Sequence, residues 1–235
     1  MKKIFVTLLA VLAVSVSMSA GDSKFNKDVD LTFGNDFFVV QPISYIGYGY
    51  HLPFDGMSDA QKSAFNSEFF VNVMELGIRP FGNGLIALGV DYGFDSYRLD
   101  KKNLWDAESG GSVWKHPIDL SPYKEIKRSV LRVHTLAIPL SFELQAGKCA
   151  FRVGAAGEYN LPAVVKSKCI NKDDVATKIK VKGINTVQFN YSLFGAISYG
   201  GFGVFVRYRP SYQFEEGKGP HFKSLSIGAV IGLGM

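Results

Sequence analysis

Few side chains in this sequence could carry out a reaction, and they are scattered. The histidines are His51, His116, His134 and His221. A histidine that moves protons near neutral pH needs a neighbouring group to orient its ring. His51, His116 and His221 fall at the ends of periodic segments or between them, where solvated rings are expected, and no cysteine or carboxylate accompanies them at metal-site spacing. No Gly-x-Ser-x-Gly or comparable nucleophile motif is present. The recurrent feature is of another kind. Glu75, Asp91, Asp95, Glu143 and Glu158 sit within apolar alternating segments that also hold Arg79, Arg132, Arg152, Arg207 and Arg209. Arginine suits buried pairing because its planar fork bridges carboxylates bidentately. The chemistry expected is therefore ion pairing inside a fold, with no catalytic residue, cofactor or metal. His134 shares parity with Arg132 and is expected to hydrogen-bond beside it in the interior.

The segments that must position these charges have a period of two. From Ile184 onward, Val187, Phe189, Tyr191, Leu193, Ile197 and Tyr199 share one parity against Gln188, Asn190, Ser192, Ala196 and Ser198. Gly200 and Gly201 supply a two-residue turn, and Val204, Val206, Tyr208 and Tyr212 resume the apolar parity against Arg207, Arg209 and Gln213. This is a hairpin of two long strands. The same alternation places strands at residues 38–51, 68–79, 85–97, 129–144, 149–161 and 222–235. In residues 129–144 the apolar parity flips between Leu131 and Ile138, which predicts a bulge near residues 135–139. Eight strands result, with connections that alternate long and short, as in bacterial outer-membrane barrels whose short turns face the periplasm.

The two ends and the charge bound the reading further. Lys2 and Lys3 precede an apolar run from Ile4 to Val16 and the small residues Ser17, Ser19 and Ala20, the features of a signal peptide over residues 1–20. Residues 21–37 read as a periplasmic lead-in and residues 38–235 as the barrel. Removing the signal lowers Lys+Arg from 26 to 24 against 21 Asp+Glu, a net charge of about +3. That is not the signature of a nucleic-acid partner. Every other apolar stretch is interrupted within a few positions, so a membrane-spanning form of this chain must be a barrel.

Two barrels fit eight alternating strands: a soluble one with apolar residues inside, and a membrane one with the faces reversed. The polar parity holds Gly, Ala and Ser with balanced charges, and of the lysines only Lys223 falls within a strand as drawn. That composition fits a narrow lumen, and the nearly charge-free opposite parity fits lipid. Aromatics mark two interfacial levels, Tyr50, Tyr97 and Tyr212 at one and Phe81, Tyr199 and Phe202 at the other. The expected lumen network is Glu75, Arg79, Asp91, Asp95, Arg132, Arg152, Glu158, Arg207 and Arg209, with Phe194, Phe205 and Arg207 filling a bore too narrow for solutes.

Leu136, Ile138, Pro139 and Leu140, the Gly154, Gly157 and Tyr159 that follow, and the closing SIGAVIGLGM resemble the small outer-membrane β-barrel proteins of the Bacteroidota, similar in plan to barrels of the OmpA and OmpX kind. The resemblance covers residues 44–235 and implies insertion into the outer membrane by the barrel assembly machinery. The final residue departs from it, being Met235 where such barrels commonly end in an aromatic.

The function expected is a non-enzymatic outer-membrane barrel with a structural or surface-interaction role through its extracellular loops, its ligand unknown. The alternative is a lipid-modifying outer-membrane enzyme of the deacylase or acyltransferase type. Residues 98–128, with Trp105, Trp114 and Tyr123, form the candidate surface-binding loop. Cys149 and Cys169 would pair by default in an oxidising compartment, but Cys149 begins the strand at residues 149–161 and Cys169 lies in the loop at its far end, so the two stand too far apart to bond.

Overall fold

Strand pairing in this chain closes on itself. The computed structural model describes residues 38–54, 66–99, 101–107, 111–117 and 123–233, so the signal and lead-in expectations lie outside the described residues. The strands are β1 (Phe38–Pro42), β2 (Ile46–Phe54), β3 (Ser67–Phe81), β4 (Gly84–Arg98), β5 (Asn103–Ala107), β6 (Val113–Pro117), β7 (Tyr123–Ala146), β8 (Cys149–Asn171), β9 (Ala176–Ile184), β10 (Phe189–Tyr199), β11 (Gly201–Arg209) and β12 (Lys223–Leu233). The antiparallel ladder runs β2, β3, β4, β7, β8, β10, β11, β12, and β12 pairs back with β2. This is an eight-stranded up-and-down barrel. No helix among the described residues is long and apolar enough to cross a membrane.

The first stave is broken. β1 pairs the lower part of β3, with Pro42 opposite Met74, and β2 pairs the upper part, with Ile46 opposite Val71. Between them Ile43 takes a positive φ of 52°, opposite the irregularity in β3 between Asn72 and Met74. At one end of the barrel the turns are tight. Tyr199 pairs Phe202 across Gly200 and Gly201, whose φ values of 55° and 82° are those a two-residue hairpin turn demands and a Cβ disfavours.

The faces are reversed relative to a soluble barrel. Leu136, Ile138, Leu140, Val153, Leu193, Ile197, Val204 and Ile227 are exposed on the outside, while every other residue turns polar or small groups inward. Large apolar side chains so arrayed belong against lipid. Phe81, Tyr199 and Phe202 form an exposed aromatic rim at the tight-turn end. At the other end Phe54 stacks on Tyr208 and Tyr159 leans on Phe189. Tyr97, expected in that rim, is instead 1% exposed, because its ring lies in an interior cluster.

The two longest strands overrun the barrel. β7 has 24 residues and β8 has 23, where about 9–11 suffice to cross the hydrocarbon layer. Residues read as loops at 98–128 and 162–183 belong largely to strands: β7 begins at Tyr123, β8 runs on through Cys169 to Asn171, and β9 pairs β8 from Ile184 to Ala176. β5 and β6 form a separate hairpin. It packs inward, with Trp105 1% exposed among Tyr97, Leu99, Val113, Leu131, Val133, Val165, Ile184, Phe214 and Phe222. The Trp105 amide donates to Ser129 Oγ at 2.8 Å and its indole N–H to the Tyr97 carbonyl at 3.1 Å. Trp105 is thus a core residue that closes the mouth, which corrects its assignment to a binding surface. Trp114 remains 46% exposed, and Tyr123 is half-buried against Leu104, Ile126 and Cys169.

The cap explains the apparent flip of parity in β7. There is no bulge at residues 135–139; Pro139 sits opposite Ala156 in unbroken register, and the ladder to β4 merely lacks pairs beside it, as a residue without an N–H requires. Alternation is continuous from Leu131 to Leu144. What changes is the surroundings. Leu136 and Ile138 face outward at lipid level, whereas Leu131 and Val133 face inward to the cap.

Candidate functional site

Two polar regions stand out, the lumen and the outer face of the strand extension. The lumen exists because inward parity on β3, β4, β7, β8 and β11 carries the charges, and because small residues opposite make room. At Gly47 a Cβ would lie 2.1 Å from the Phe70 ring, and at Gly154 it would lie 2.6 Å from Phe194. Phe70, Phe194 and Phe205 fill the bore at that level, with the Arg207 guanidinium 4.1 Å from the Phe70 ring centroid. A cavity of about 20 Å³ remains among them, about one water's worth.

Below the aromatic layer Arg152 holds Glu75 bidentately, at 2.6 and 2.9 Å, and donates through Nε to Glu143 at 2.8 Å. Above it Arg207 and Arg209 both donate to Glu68 Oε1, at 2.7 and 2.8 Å, and Arg209 Nε reaches Glu158 at 2.8 Å. Asp91 and Asp95 lie 3.8 Å from Arg207 and Arg209 respectively, and Asp91 accepts from Asn72 Nδ2 at 2.7 Å. The residues brought together from the expected network are Glu75, Asp91, Asp95, Arg152, Glu158, Arg207 and Arg209, all buried. Glu68 and Glu143 complete it. Glu68 opens its strand and carried no sequence signal beyond its parity with Phe70 and Asn72.

Two expected members are elsewhere. Arg132 lies on the outward parity of β7, half-buried, with its guanidinium 5.8 Å from the Phe94 ring centroid. His134 shares that outer face and pairs through Nδ1 with the Tyr92 hydroxyl at 2.6 Å. Both placements follow from the unflipped alternation. Arg79 is half-buried near the tight turn, and among the described residues it forms no ion pair. The histidine that does enter the lumen is His51. It is fully buried in β2, with Ser226 Oγ 3.1 Å from Nδ1, Asp95 Oδ1 3.7 Å from the same nitrogen, and the Tyr97 ring edge-on at 4.8 Å. Its place at a strand end predicts a solvated ring, and the barrel buries it instead. His221 lies beside Tyr212, with ring centroids 4.9 Å apart, and the His116 side chain lies outside the described residues.

The second region is basic. In register across β7, β8 and β9, Arg128 faces Lys168 and Lys168 faces Lys178; one step down Lys166 faces Lys180; below them Val164 joins Arg132 to Lys182. Except for half-buried Arg132, these seven cations are exposed, and among the described residues none of them makes an ion pair. Like charges directly opposite on a sheet repel. Accordingly Arg132, with burial and then Lys180, Arg128 and Lys182, holds the Lys166 ammonium below its ordinary pKa. On the inner side of the same strands Cys169 is buried, and burial pushes its thiol up. Cys149 and Cys169 are both free and stand twenty residues apart along β8, roughly 65 Å.

No protein-family model and no curated protein matches the chain. Among solved structures it is similar to Ail, the attachment invasion locus protein of Yersinia pestis, at 8% identity and a TM-score of 0.31, over 83% of this chain and 96% of that one. At that score the likeness carries no argument. The resemblance to barrels of the Bacteroidota has no counterpart in these comparisons.

Proposed function

We propose that the chain is an outer-membrane barrel with no enzymatic activity, which binds anionic headgroups at the membrane surface through the basic face of β7, β8 and β9. One observation carries the reading: seven cations stand in register and unneutralised on the outward parity that, a few residues lower, presents Leu136 and Ile138 to lipid. Phosphates of the lipid headgroups lie at the level where such an apolar belt ends. Bound there, they relieve the repulsion that the strand register imposes. Lysines on the edge strand β9 also discourage a further strand from adding to the sheet.

The barrel reading is tested by membrane fractionation and by heat-modifiability on a gel. An intact barrel migrates differently unboiled, and recovery in the soluble fraction ends the reading. The binding is tested in nanodiscs of mixed zwitterionic and anionic phospholipid. Retention of anionic lipid, read by native mass spectrometry, should fall about tenfold when Arg128, Lys166 and Lys180 are all changed to Gln, and with rising salt. Equal retention by the variant overturns it.

A lipid-modifying enzyme gains one point from the structure, the outward position of His134. Its Nδ1 is engaged by Tyr92, and among the described residues no serine hydroxyl is hydrogen-bonded to it. Lipid composition of cells with and without the protein separates the two readings.

A further inference from the structure

The lumen charges do not balance. Among the described residues six carboxylates are buried there, Glu68, Glu75, Asp91, Asp95, Glu143 and Glu158, against the three guanidiniums of Arg152, Arg207 and Arg209. A buried carboxylate without a counter-charge is strongly disfavoured. The deficit is most acute beneath the cap. Both arginines there converge on one oxygen of Glu68, Oε1, and leave Oε2 buried with no hydrogen bond. Asp95 Oδ1 is likewise buried without a hydrogen bond, and so is His51 Nε2.

We propose that His51, Glu68 and Asp95 bind a divalent transition cation of the zinc type within the lumen. Each residue brings one ligand atom within 4.8 Å of the others, and all three are buried. Two ligands about 2.1 Å from a zinc ion and tetrahedrally disposed stand about 3.4 Å apart. His51 Nδ1, 3.7 Å from Asp95 Oδ1, is engaged by Ser226 Oγ, so the nitrogen offered to the cation is Nε2, which has no hydrogen bond. Glu68 pairs directly with Asp95 across β3 and β4, and His51 projects from the neighbouring strand β2, so the site rests on three adjoining staves. One imidazole nitrogen with two carboxylate oxygens is a donor set suited to zinc or cobalt, with the fourth position left to water.

The surroundings support this. Ser226 Oγ at Nδ1 and the edge-on Tyr97 ring fix the imidazole plane. Arg209 Nη2 stands 2.8 Å from Glu68 Oε1 and 3.8 Å from Asp95 Oδ2, on oxygens other than the two without a hydrogen bond. It holds the carboxylates in place without occupying the lone pairs offered to the cation. The apolar cluster around Tyr97, Trp105 and Phe222 covers the site from the loop end, so a cation once taken up exchanges slowly.

The test uses cobalt as probe, because its visible absorption reports coordination. The full chain is refolded in detergent with Co²⁺, passed over a chelating column, and checked by heat-modifiability. The folded barrel should retain about one cobalt and show a tetrahedral absorption band. Asp95→Asn, whose arginine contact is only 3.8 Å, and His51→Gln should each retain at most about a tenth as much while remaining folded. Zinc added to metal-free barrel should raise the unfolding temperature of the wild type and leave that of Asp95→Asn unchanged. The proposal fails if folded wild-type barrel retains no cobalt, or if both variants retain as much as the wild type. Where a variant does not fold, the wild-type retention and the zinc-dependent shift alone decide.

Discussion

The lower barrel and the upper extension are built from the same two strands with opposite logic. Below, β7 and β8 turn Leu140 and Val153 outward and Glu143 and Arg152 inward. Above, they turn Arg128 and Lys168 outward and Leu131 and Val165 inward. Along β7 the alternation is the same from Ser129 to Leu144, whereas β8 slips by one residue at the register shift opposite Arg132–His134, so its inward parity passes from Arg152 and Glu158 to Ala163 and Val165. The difference teaches that a strand's apolar face is chosen by what surrounds it, lipid outside in one region and water outside in the other, and that β7 crosses between the two with its alternation intact while β8 crosses with a one-residue slip.

Removing Arg152 should break the comparison most severely. Among the described residues it is the sole cation paired with Glu75 and Glu143 in the lower lumen, and Arg152→Met leaves two buried carboxylates without it, a loss of about 3–5 kcal/mol. Urea unfolding of the barrel in vesicles, followed by tryptophan fluorescence, measures it. The triple change with Glu75→Gln and Glu143→Gln should recover most of the loss, and an unrecovered loss would mean that packing, not charge, is what Arg152 supplies.

A charge moved between the regions comes next. Val153→Lys places an ammonium in the lipid belt and should cost about 2–4 kcal/mol, whereas Lys168→Val on the same strand should stay within about 0.5 kcal/mol. A gain of about 2–4 kcal/mol on Lys168→Val would instead show that the extension is also immersed in lipid.

The cysteines give a smaller, kinetic contrast. Half-buried Cys149 should be alkylated in the folded barrel, and Cys169 should not, since it is 1% exposed and burial raises its thiol pKa. Trp105→Ala should loosen the cap and make Cys169 reactive while the gel shift of the barrel persists. Mass spectrometry after timed labelling reads both.

The smallest effect concerns pH. The Lys166 pKa is depressed in the fold by Arg132 and the neighbouring cations, so below that value both states are protonated and the repulsion is fully present. Between it and the unfolded value of about 10.4 the unfolded chain binds more protons than the fold, and stability rises with pH. Lys166→Gln should abolish that rise. Bound anionic lipid should also diminish it, by returning the pKa toward normal.

Much of the barrel was legible because its signal is local. Each stave announces itself through neighbours two residues apart, and Gly200–Gly201 marks its own turn. The lumen was legible only in composition. Parity placed Arg207, Arg209 and Asp95 inside, but the same rule misplaced Arg132 and His134, since inward and apolar coincide above the membrane and diverge within it. His51 escaped notice because a histidine near a strand end is ordinarily solvated, and the groups that enclose it, Asp95, Tyr97 and Ser226, come from strands distant in the chain. Trp105 was misread for the same reason.

The sequence by itself determined the number of barrel staves, which connections are tight, and which parity meets lipid, because these depend on the period of two and on turn residues close in the chain. The tertiary structure alone decided which charges meet. Arg207 and Glu68 are 139 positions apart, and Arg209 and Glu68 are 141. Their encounter depends on barrel closure and strand register, which no local pattern encodes. The same closure drew β5 and β6 into the mouth, set seven cations in rows across three strands, and gathered His51, Glu68 and Asp95 beneath the cap.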